Sequence, residues 1–267
     1  MTAENLLSRL VLEARQDLQR RRHLIDSDRL EEAVAAYAPK DFAGALRGPN
    51  LAVIAEMKQR TPSMGVLSED YRPADIAHAY AEGGAAAISV LTHMAGFGGR
   101  VEHVRSVRAA TELPILRKDF VTDPYEVAET RASGADAVLL IVAALEQEQL
   151  RNLVALARNR GIAALVEVHD ERETAAALEA GATAFGINHR DLRTFEVDLG
   201  LTARLRKLIP PEVVVVAESG IHSAEDARRM REAGADAVLV GELLMRSADP
   251  AGQIRELATP GPRGVQP

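Results

Sequence analysis

A local pattern of small residues recurs along the chain and limits its fold more than any other feature. It reads Ala132-Ser-Gly-Ala-Asp-Ala137, Ala180-Gly-Ala-Thr-Ala184 and Ala233-Gly-Ala-Asp-Ala237, with a looser copy at Glu82-Gly-Gly-Ala-Ala-Ala87. Each copy ends an amphipathic stretch at a glycine that tolerates positive φ, and a short apolar run follows almost at once. Gly84, Gly134, Gly181 and Gly234 recur about every fifty residues, roughly two strand–helix units. A period of that size also suits a solenoid or propeller. The strands and helices between the copies decide against those.

Eight apolar runs predict strands: Leu51–Met57, Ala86–Leu91, Leu113–Leu116, Ala137–Val142, Ala163–Val168, Ala184–Ile187, Val213–Ala217 and Ala237–Val240. They are near-continuous in Val, Ile, Leu and Ala, as parallel strands covered on both faces must be. Amphipathic stretches such as Glu146–Arg160 and Leu199–Leu208 separate them, and Asp123-Pro124 reads as an N-cap followed by an N1 proline. Strand–helix alternation repeated eight times predicts a parallel sheet that closes on itself. The expected fold is therefore α/β, a (β/α)8 TIM barrel over residues 49–258 with an N-terminal helical extension over residues 1–48. Ser8–Arg22 and Asp28–Tyr37 carry the extension's helical periodicity, and Gly48-Pro49-Asn50 marks the junction. Residues 259–267, rich in Pro and Gly without periodicity, are expected to be a disordered tail.

Composition removes several function classes. The chain has no cysteine, which excludes disulfides, a thiolate nucleophile and a Cys-ligated metal. A net charge of −7 and an aromatic content of 3% argue against nucleic acid or an anionic membrane as partner. The N-terminal stretch interleaves acids and bases, so neither a signal peptide nor a membrane span is read there, and a cytoplasmic protein is expected. The histidines His93, His169, His189 and His222 lack metal-site spacing and read as loop residues; neither metal nor organic cofactor is expected.

Polar residues close most of the strands. Strand one ends Ala55-Glu56-Met57-Lys58, strand three Leu116-Arg117-Lys118-Asp119, strand five Val166-Glu167-Val168, strand six Gly186-Ile187-Asn188-His189-Arg190, and strand seven Ala217-Glu218-Ser219-Gly220. In a barrel these ends meet on the face where active sites form. Glu56 and Glu167 have apolar neighbours on both sides, and buried carboxylates are rare unless paired. Glu218 and Asp119 read as structural. The turns Ser219-Gly220-Ile221 and Gly241-Glu242 follow strands seven and eight, where backbone N–H groups commonly hold a phosphate.

The runs Ile54-Ala-Glu-Met-Lys-Gln-Arg-Thr-Pro-Ser-Met-Gly65 and Leu116-Arg-Lys-Asp-Phe-Val-Thr-Asp-Pro-Tyr125, with Gly186-Ile-Asn-His-Arg-Asp-Leu192 and Ala217-Glu-Ser-Gly-Ile221, resemble indole-3-glycerol phosphate synthase. Val166-Glu-Val168 and Val240-Gly-Glu-Leu-Leu-Met245 continue the likeness, which covers essentially the whole chain. The resemblance implies decarboxylating ring closure of 1-(2-carboxyphenylamino)-1-deoxyribulose 5-phosphate to indole-3-glycerol phosphate. It implies Lys118 as general acid, Glu167 as general base, and Lys58 as a contact to phosphate and carboxylate that takes part in dehydration. Glu56 would tune the lysines and Asn188 would bind the developing hydroxyl. Arg190, Ser219, Gly220, Gly241 and Glu242 would hold the anionic groups, Thr61 would sit in the first loop, and Phe97 and Phe120 would line an aromatic slot. The chain departs from the family pattern at Thr61, His189 and Leu243.

Other readings of the same barrel fit less well. A related isomerase, phosphoribosylanthranilate isomerase, uses a cysteine base, which this chain lacks. Aldolases that form a Schiff base place a lysine where this chain has Asn188. A degenerate barrel kept as a scaffold would have lost at least one of the polar strand ends, and all are present. The expected partner is a small phosphorylated molecule, met by a monomer or weak homo-oligomer.

Overall fold

The computed structural model describes residues 3–24, 27–35, 37–62, 64–191 and 194–258. The tail expected over residues 259–267 lies outside the described residues. Eight strands form one closed barrel: β1 (Ala52–Met57), β2 (Ala87–Leu91), β3 (Ile115–Lys118), β4 (Ala137–Ile141), β5 (Ala163–Val168), β6 (Ala184–Asn188), β7 (Val214–Glu218) and β8 (Ala237–Val240). Each pairs in parallel with its neighbours in sequence, and β8 pairs with β1 to close the ring.

Strand β3 was expected to stop at Leu116 but runs to Lys118, and β6 and β7 each run one residue further than expected, to Asn188 and Glu218. Their last polar residues stay in the ladder, Lys118 opposite Leu91 and Asn188 opposite Glu218. Apolar content marks where a strand is buried, whereas the ladder ends where backbone pairing ends. Here polar side chains that meet inside the barrel mouth keep the pairing going.

Three helices precede the barrel: α1 (Ala3–Leu24), α2 (Ser27–Ala35) and α3 (Phe42–Ala45). Helix α4 (Pro73–Glu82) follows β1, α5 (Met94–Phe97) and α6 (Val101–Ala110) follow β2, and α7 (Pro124–Ala132) follows β3. The circuit continues with α8 (Gln147–Asn159), α9 (Glu171–Glu179), α10 (Leu201–Leu205) and α11 (Ala224–Glu232), then α12 (Glu242–Arg246) and α13 (Pro250–Leu257) after β8. As expected, Asp123 caps α7 by accepting from Tyr125 N, with Pro124 at the first helical position. No described helix is long and apolar enough to cross a membrane.

The repeat acts as its composition predicts. Gly84, Gly134, Gly181 and Gly234 take φ of 80°, 90°, 82° and 93°, which turns each helix end into the next strand. Its aspartates are stitches between strands: Asp136 Oδ2 accepts from Ile115 N at 2.7 Å and Asp236 Oδ2 from Val215 N at 3.0 Å. Burying each carboxylate against a strand-end N–H satisfies both groups.

Side chains in a strand alternate, and the barrel interior shows it. Ile54, Leu116, Leu165, Val216 and Leu239 fill the lumen, and Phe42 of α3 and Leu46 just after it pack into the same core. Separate aliphatic shells lie between strands and helices. Two residues beyond the lumen aliphatics stand Glu56, Lys118, Glu167 and Glu218. The topmost layer of the lumen is thus charged.

Candidate active site

Every residue expected at the site lines one cleft of about 520 Å³ at the C-terminal mouth of the barrel. At its floor, Lys118 Nζ is ringed by three carboxylates: Glu218 Oε2 at 2.5 Å, Glu167 Oε2 at 3.7 Å and Glu56 Oε2 at 3.8 Å. Lys58 pairs with the other oxygen of Glu56. Asn188 Nδ2 donates to Glu167 Oε1 at 3.1 Å, and Asn188 Oδ1 accepts from Ser219 Oγ at 2.9 Å and from Arg190 N at 3.1 Å. One amide therefore links the carboxylate cluster to the loops after β6 and β7.

Burial and pairing set the charges. Burial alone would discharge Lys118, but Glu218, Glu167 and Glu56 outweigh it and hold the ammonium well above the usual lysine range. Glu56 is likewise pushed up by burial and pulled lower by Lys58 and Lys118, ending below the ordinary carboxylate range. Glu167 falls to about 2, because His169, Lys118 and Asn188 overcome its desolvation. Glu218 goes the other way, to about 7: its burial and the neighbouring Glu167 and Glu56 charges exceed what Lys118 returns. The cluster thus carries a charged acid, two ionised carboxylates, Glu56 and Glu167, and a third carboxyl, Glu218, raised to about 7, within a single layer.

Two glycines make room for this layer. A Cβ on Gly241 would lie 2.4 Å from Glu56 Oε1, and one on Gly186 would lie 2.1 Å from Glu218 Oε1. After β7, Ser219 and Gly220 both adopt left-handed backbone, φ 68° and 75°. Left-handed serine is uncommon and needs support. His189 supplies it, donating from Nδ1 to Ser219 O at 2.9 Å while Nε2 accepts from Thr202 Oγ1 at 2.7 Å. Burial lowers the His189 pKa and keeps the ring neutral, consistent with that pairing. Across the cleft, Gly241 caps α12, whose first residue is Glu242; the Glu242 carboxylate lies 3.6 Å from Arg246. Arg190 Nη1 donates to Phe195 O at 3.3 Å within its own loop.

The opposite wall is apolar. Phe97 and Phe120 stack with centroids 6.5 Å apart and planes 28° from parallel, and His93 meets Phe120 edge-on at 5.1 Å. Leu6, Leu7 and Leu10 of α1 complete the wall. Helix α1 is fastened to the barrel by Arg15 on Thr122, Arg22 on Asp123, and Arg21 on Glu129 at 2.8 Å. Glu129 also pairs at 2.8 Å with fully buried Arg117, which reaches Asp119 at 3.2 Å. Asp119 accordingly plays the structural part expected of it. Thr61 Oγ1 accepts from Met64 N at 3.0 Å in the short hairpin Arg60–Thr61/Gly65–Val66, which borders the cleft.

Of the two parts open to a structural Glu218, holding a loop or a neighbouring barrel residue, it takes the second: it is the nearest carboxylate to Lys118. Its signal was present: Val214, Val216 and Glu218 share one face, in the same phase as Leu165 and Glu167. His93 and His189 lie in loops, as expected, and both are buried and hydrogen-bonded there, His93 Nδ1 accepting from Gly96 N at 3.0 Å. His169 is also built in, its Nδ1 3.0 Å from Glu173 Oε2. His222 stays in an exposed loop. Among the described residues no group of three or more His, Asp or Glu is arranged to hold a metal.

Comparison with known proteins narrows the barrel to one family. The family model described as indole-3-glycerol phosphate synthase matches residues 7–257. "Indole-3-glycerol phosphate synthase 2" of Streptomyces coelicolor is 58% identical over 253 residues, covering 94% of this chain and 98% of that protein. An indole-3-glycerol phosphate synthase of Dehalococcoides mccartyi strain CBDB1 is 48% identical over 257 residues, covering 94% and 99%. Among solved structures, thiamine phosphate pyrophosphorylase from Pyrococcus furiosus superposes with a TM-score of 0.60 at 19% identity, over 81% of this chain and 96% of that one. A 3-hexulose-6-phosphate synthase from Salmonella typhimurium gives 0.60 at 16% identity, over 78% and 97%. These structural likenesses establish the barrel fold alone. The family model and the two relatives, matched along nearly their whole lengths, go further: the chain belongs to the indole-3-glycerol phosphate synthase family.

Proposed function

We propose that this chain converts 1-(2-carboxyphenylamino)-1-deoxyribulose 5-phosphate to indole-3-glycerol phosphate, CO2 and water, a step of tryptophan biosynthesis. The observation that carries the reading is the buried Lys118 ammonium at the floor of the cleft, ringed by Glu218, Glu167 and Glu56. The cleft has an aromatic wall on one side and the Ser219-Gly220 and Gly241-Glu242 turns on the other.

In this reading the anthranilate ring lies against Phe97 and Phe120, and the phosphate sits at the two turns with Ser219, Gly220, Gly241 and Glu242. Lys58 and Arg190 offset the phosphate and carboxylate charges, and Thr61 closes the first loop over them. Lys118 donates a proton to the carbonyl oxygen as the ring carbon attacks the carbonyl carbon, so a C–C bond forms and the oxygen becomes a hydroxyl. The ring carboxylate leaves as CO2 and returns its electron pair to the ring. Finally the hydroxyl, held by Asn188, leaves as water with a second proton from the lysine pair. Glu167 removes the proton beside the ring. Two protons are given and one is taken, so an ionised substrate carboxyl draws one proton from solvent per turnover. Glu56 helps keep Lys118 charged and holds both lysines in place.

The protein is read as cytoplasmic, acting alone or as a weak homo-oligomer. The test is appearance of indole fluorescence from the carboxyphenylamino substrate without added metal or nucleotide. The chain has no Trp, so the background is low. A purified, folded chain that forms no indole product refutes the reading.

A further inference from the structure

Three carboxylates compete for Lys118, and distance alone gives Glu218 the strongest claim, at 2.5 Å against 3.7 Å for Glu167. The rest of their surroundings reverses the order. Glu218 Oε1 is buried without a hydrogen-bond partner among the described residues. Glu167 Oε1 accepts from Asn188 Nδ2 and lies 3.3 Å from His169 Nε2. That nitrogen is itself buried. It sits within ion-pair range of Glu167, but off the line a hydrogen bond requires.

The His169 ring is not free to turn away. Its Nδ1 donates to Glu173 Oε2 at 3.0 Å, and the same oxygen accepts the His169 backbone N–H at 2.8 Å. Glu173 stands in the first turn of α9, whose N-cap Asp170 accepts from Glu173 N. Charged groups reach the pair from every side: Glu173 of α9 faces His169, while Lys118 of β3, with Glu56 of β1 and Glu218 of β7 around it, faces Glu167.

We propose that His169, anchored by Glu173, is a positioning residue that keeps Glu167 ionised and leaves the cluster's proton to Glu218. This rests on the activity proposed above, in which Glu167 is the base. An imidazole between two carboxylates is held charged; burial works against this, but Glu167 and Glu173 prevail and push His169 up to about 10. The first proton the cluster accepts, near pH 7, then lands on Glu218 and spares the base. Without His169 that proton is shared with Glu167, whose pKa rises, so activity drains away as pH falls.

The experiment compares the whole wild-type chain with His169→Asn, His169→Gln and Glu173→Gln, measuring kcat and KM from pH 6 to pH 9. Wild type should hold its kcat between pH 8 and pH 6. His169→Asn should lose about tenfold or more in kcat at pH 7 with KM within about threefold, and acquire an acid limb near pH 7. Glutamine places an amide N–H close to the Nε2 position and should recover part of kcat, and Glu173→Gln should show a weaker limb. In parallel, imidazole 15N chemical shifts of the substrate-free chain should show His169 doubly protonated through pH 8 in wild type, and deprotonating at lower pH in Glu167→Gln. An unchanged pH profile in His169→Asn, or a neutral His169 ring in wild type at pH 7, overturns the proposal. Should both His169 variants fail to fold, Glu173→Gln and the NMR titration decide it. If wild type makes no indole product, the proposed activity fails, while the NMR titration still tests the His169–Glu167 coupling.

Discussion

Replacing Lys118 with methionine keeps the length of the side chain and removes the cation on which Glu218, Glu167 and Glu56 converge. As the proposed general acid, its loss should lower kcat by about 10²–10⁴, on the order of 3–5 kcal/mol in the barrier. Stability should respond in a pH-dependent way. Breaking a buried ion pair costs about 3–5 kcal/mol when the orphaned charge cannot escape, but a carboxylate can take up a proton. In wild type, Lys118 has a folded pKa above its unfolded one, so its contribution is complete below the ordinary lysine range and flat from pH 7 to pH 9. Glu218 sits at about 7 even with the lysine present, so in the variant its carboxyl stays protonated above pH 7. The unfolded chain is ionised there. Folding of the variant therefore binds a proton, and its stability should fall by about 1.4 kcal/mol for each pH unit, about 3 kcal/mol between pH 7 and pH 9. Urea unfolding followed by far-ultraviolet circular dichroism at several pH values measures this, alongside turnover by indole fluorescence. A variant within tenfold of wild-type kcat, or one whose stability deficit is the same at pH 7 and pH 9, would refute the view that Lys118 neutralises this cluster and acts as the acid.

Further outcomes follow from the same geometry. Glu218 has a folded pKa raised to about 7, so the folded chain gains stability as pH drops from 7 toward 5; Glu218→Gln should remove a share of that gain on the order of 2–3 kcal/mol. Glu126, pushed to about 7 by its own burial, should retain a comparable share in the same titration, and a slope untouched by Glu218→Gln assigns the whole effect elsewhere. In Gly241→Ala the new methyl meets Glu56 Oε1 at 2.4 Å, which should displace Glu56 from Lys58 and cost about tenfold in kcat/KM; unchanged kinetics would show that Glu56 moves aside freely. Arg117→Met leaves Glu129 and Asp119 buried without their shared cation, a loss of about 3–5 kcal/mol. That corresponds to a Tm lower by roughly 6–20 °C for a chain of this size, readable by calorimetry, and a drop of under about 3 °C would contradict it.

Much of this architecture could be read from the chain because its causes are local. Gly134 and Gly234 end their helices by taking positive φ, and the aspartate two residues on ties down the neighbouring strand. Eight continuous apolar runs require a sheet covered on both faces, and alternation along β5 and β7 dictates that Glu167 and Glu218 share the lumen with Leu165 and Val216. Its phase along β7, more than its place at a strand end, is what points Glu218 at Lys118. Other features had no local cause to read. Helix α1 shows an apolar stripe in sequence, but a stripe does not say which surface it meets. Only the fold sets Leu6, Leu7 and Leu10 against the cleft and anchors Arg21 on Glu129. His169 and His189 are loop residues in sequence and structure alike, but only closure puts Glu167, Glu173, Ser219 and Thr202 around them. The charge states, above all, belong to the tertiary structure. Glu56, Lys118, Glu167 and Glu218 come from four strands spread over most of the chain, and bond rotation along any one of them says nothing about the others. Barrel closure brings the three carboxylates within 4 Å of the Lys118 ammonium in a largely buried layer, and at that distance in a poorly screened interior mutual electrostatics, not residue type, decides which of them holds a proton.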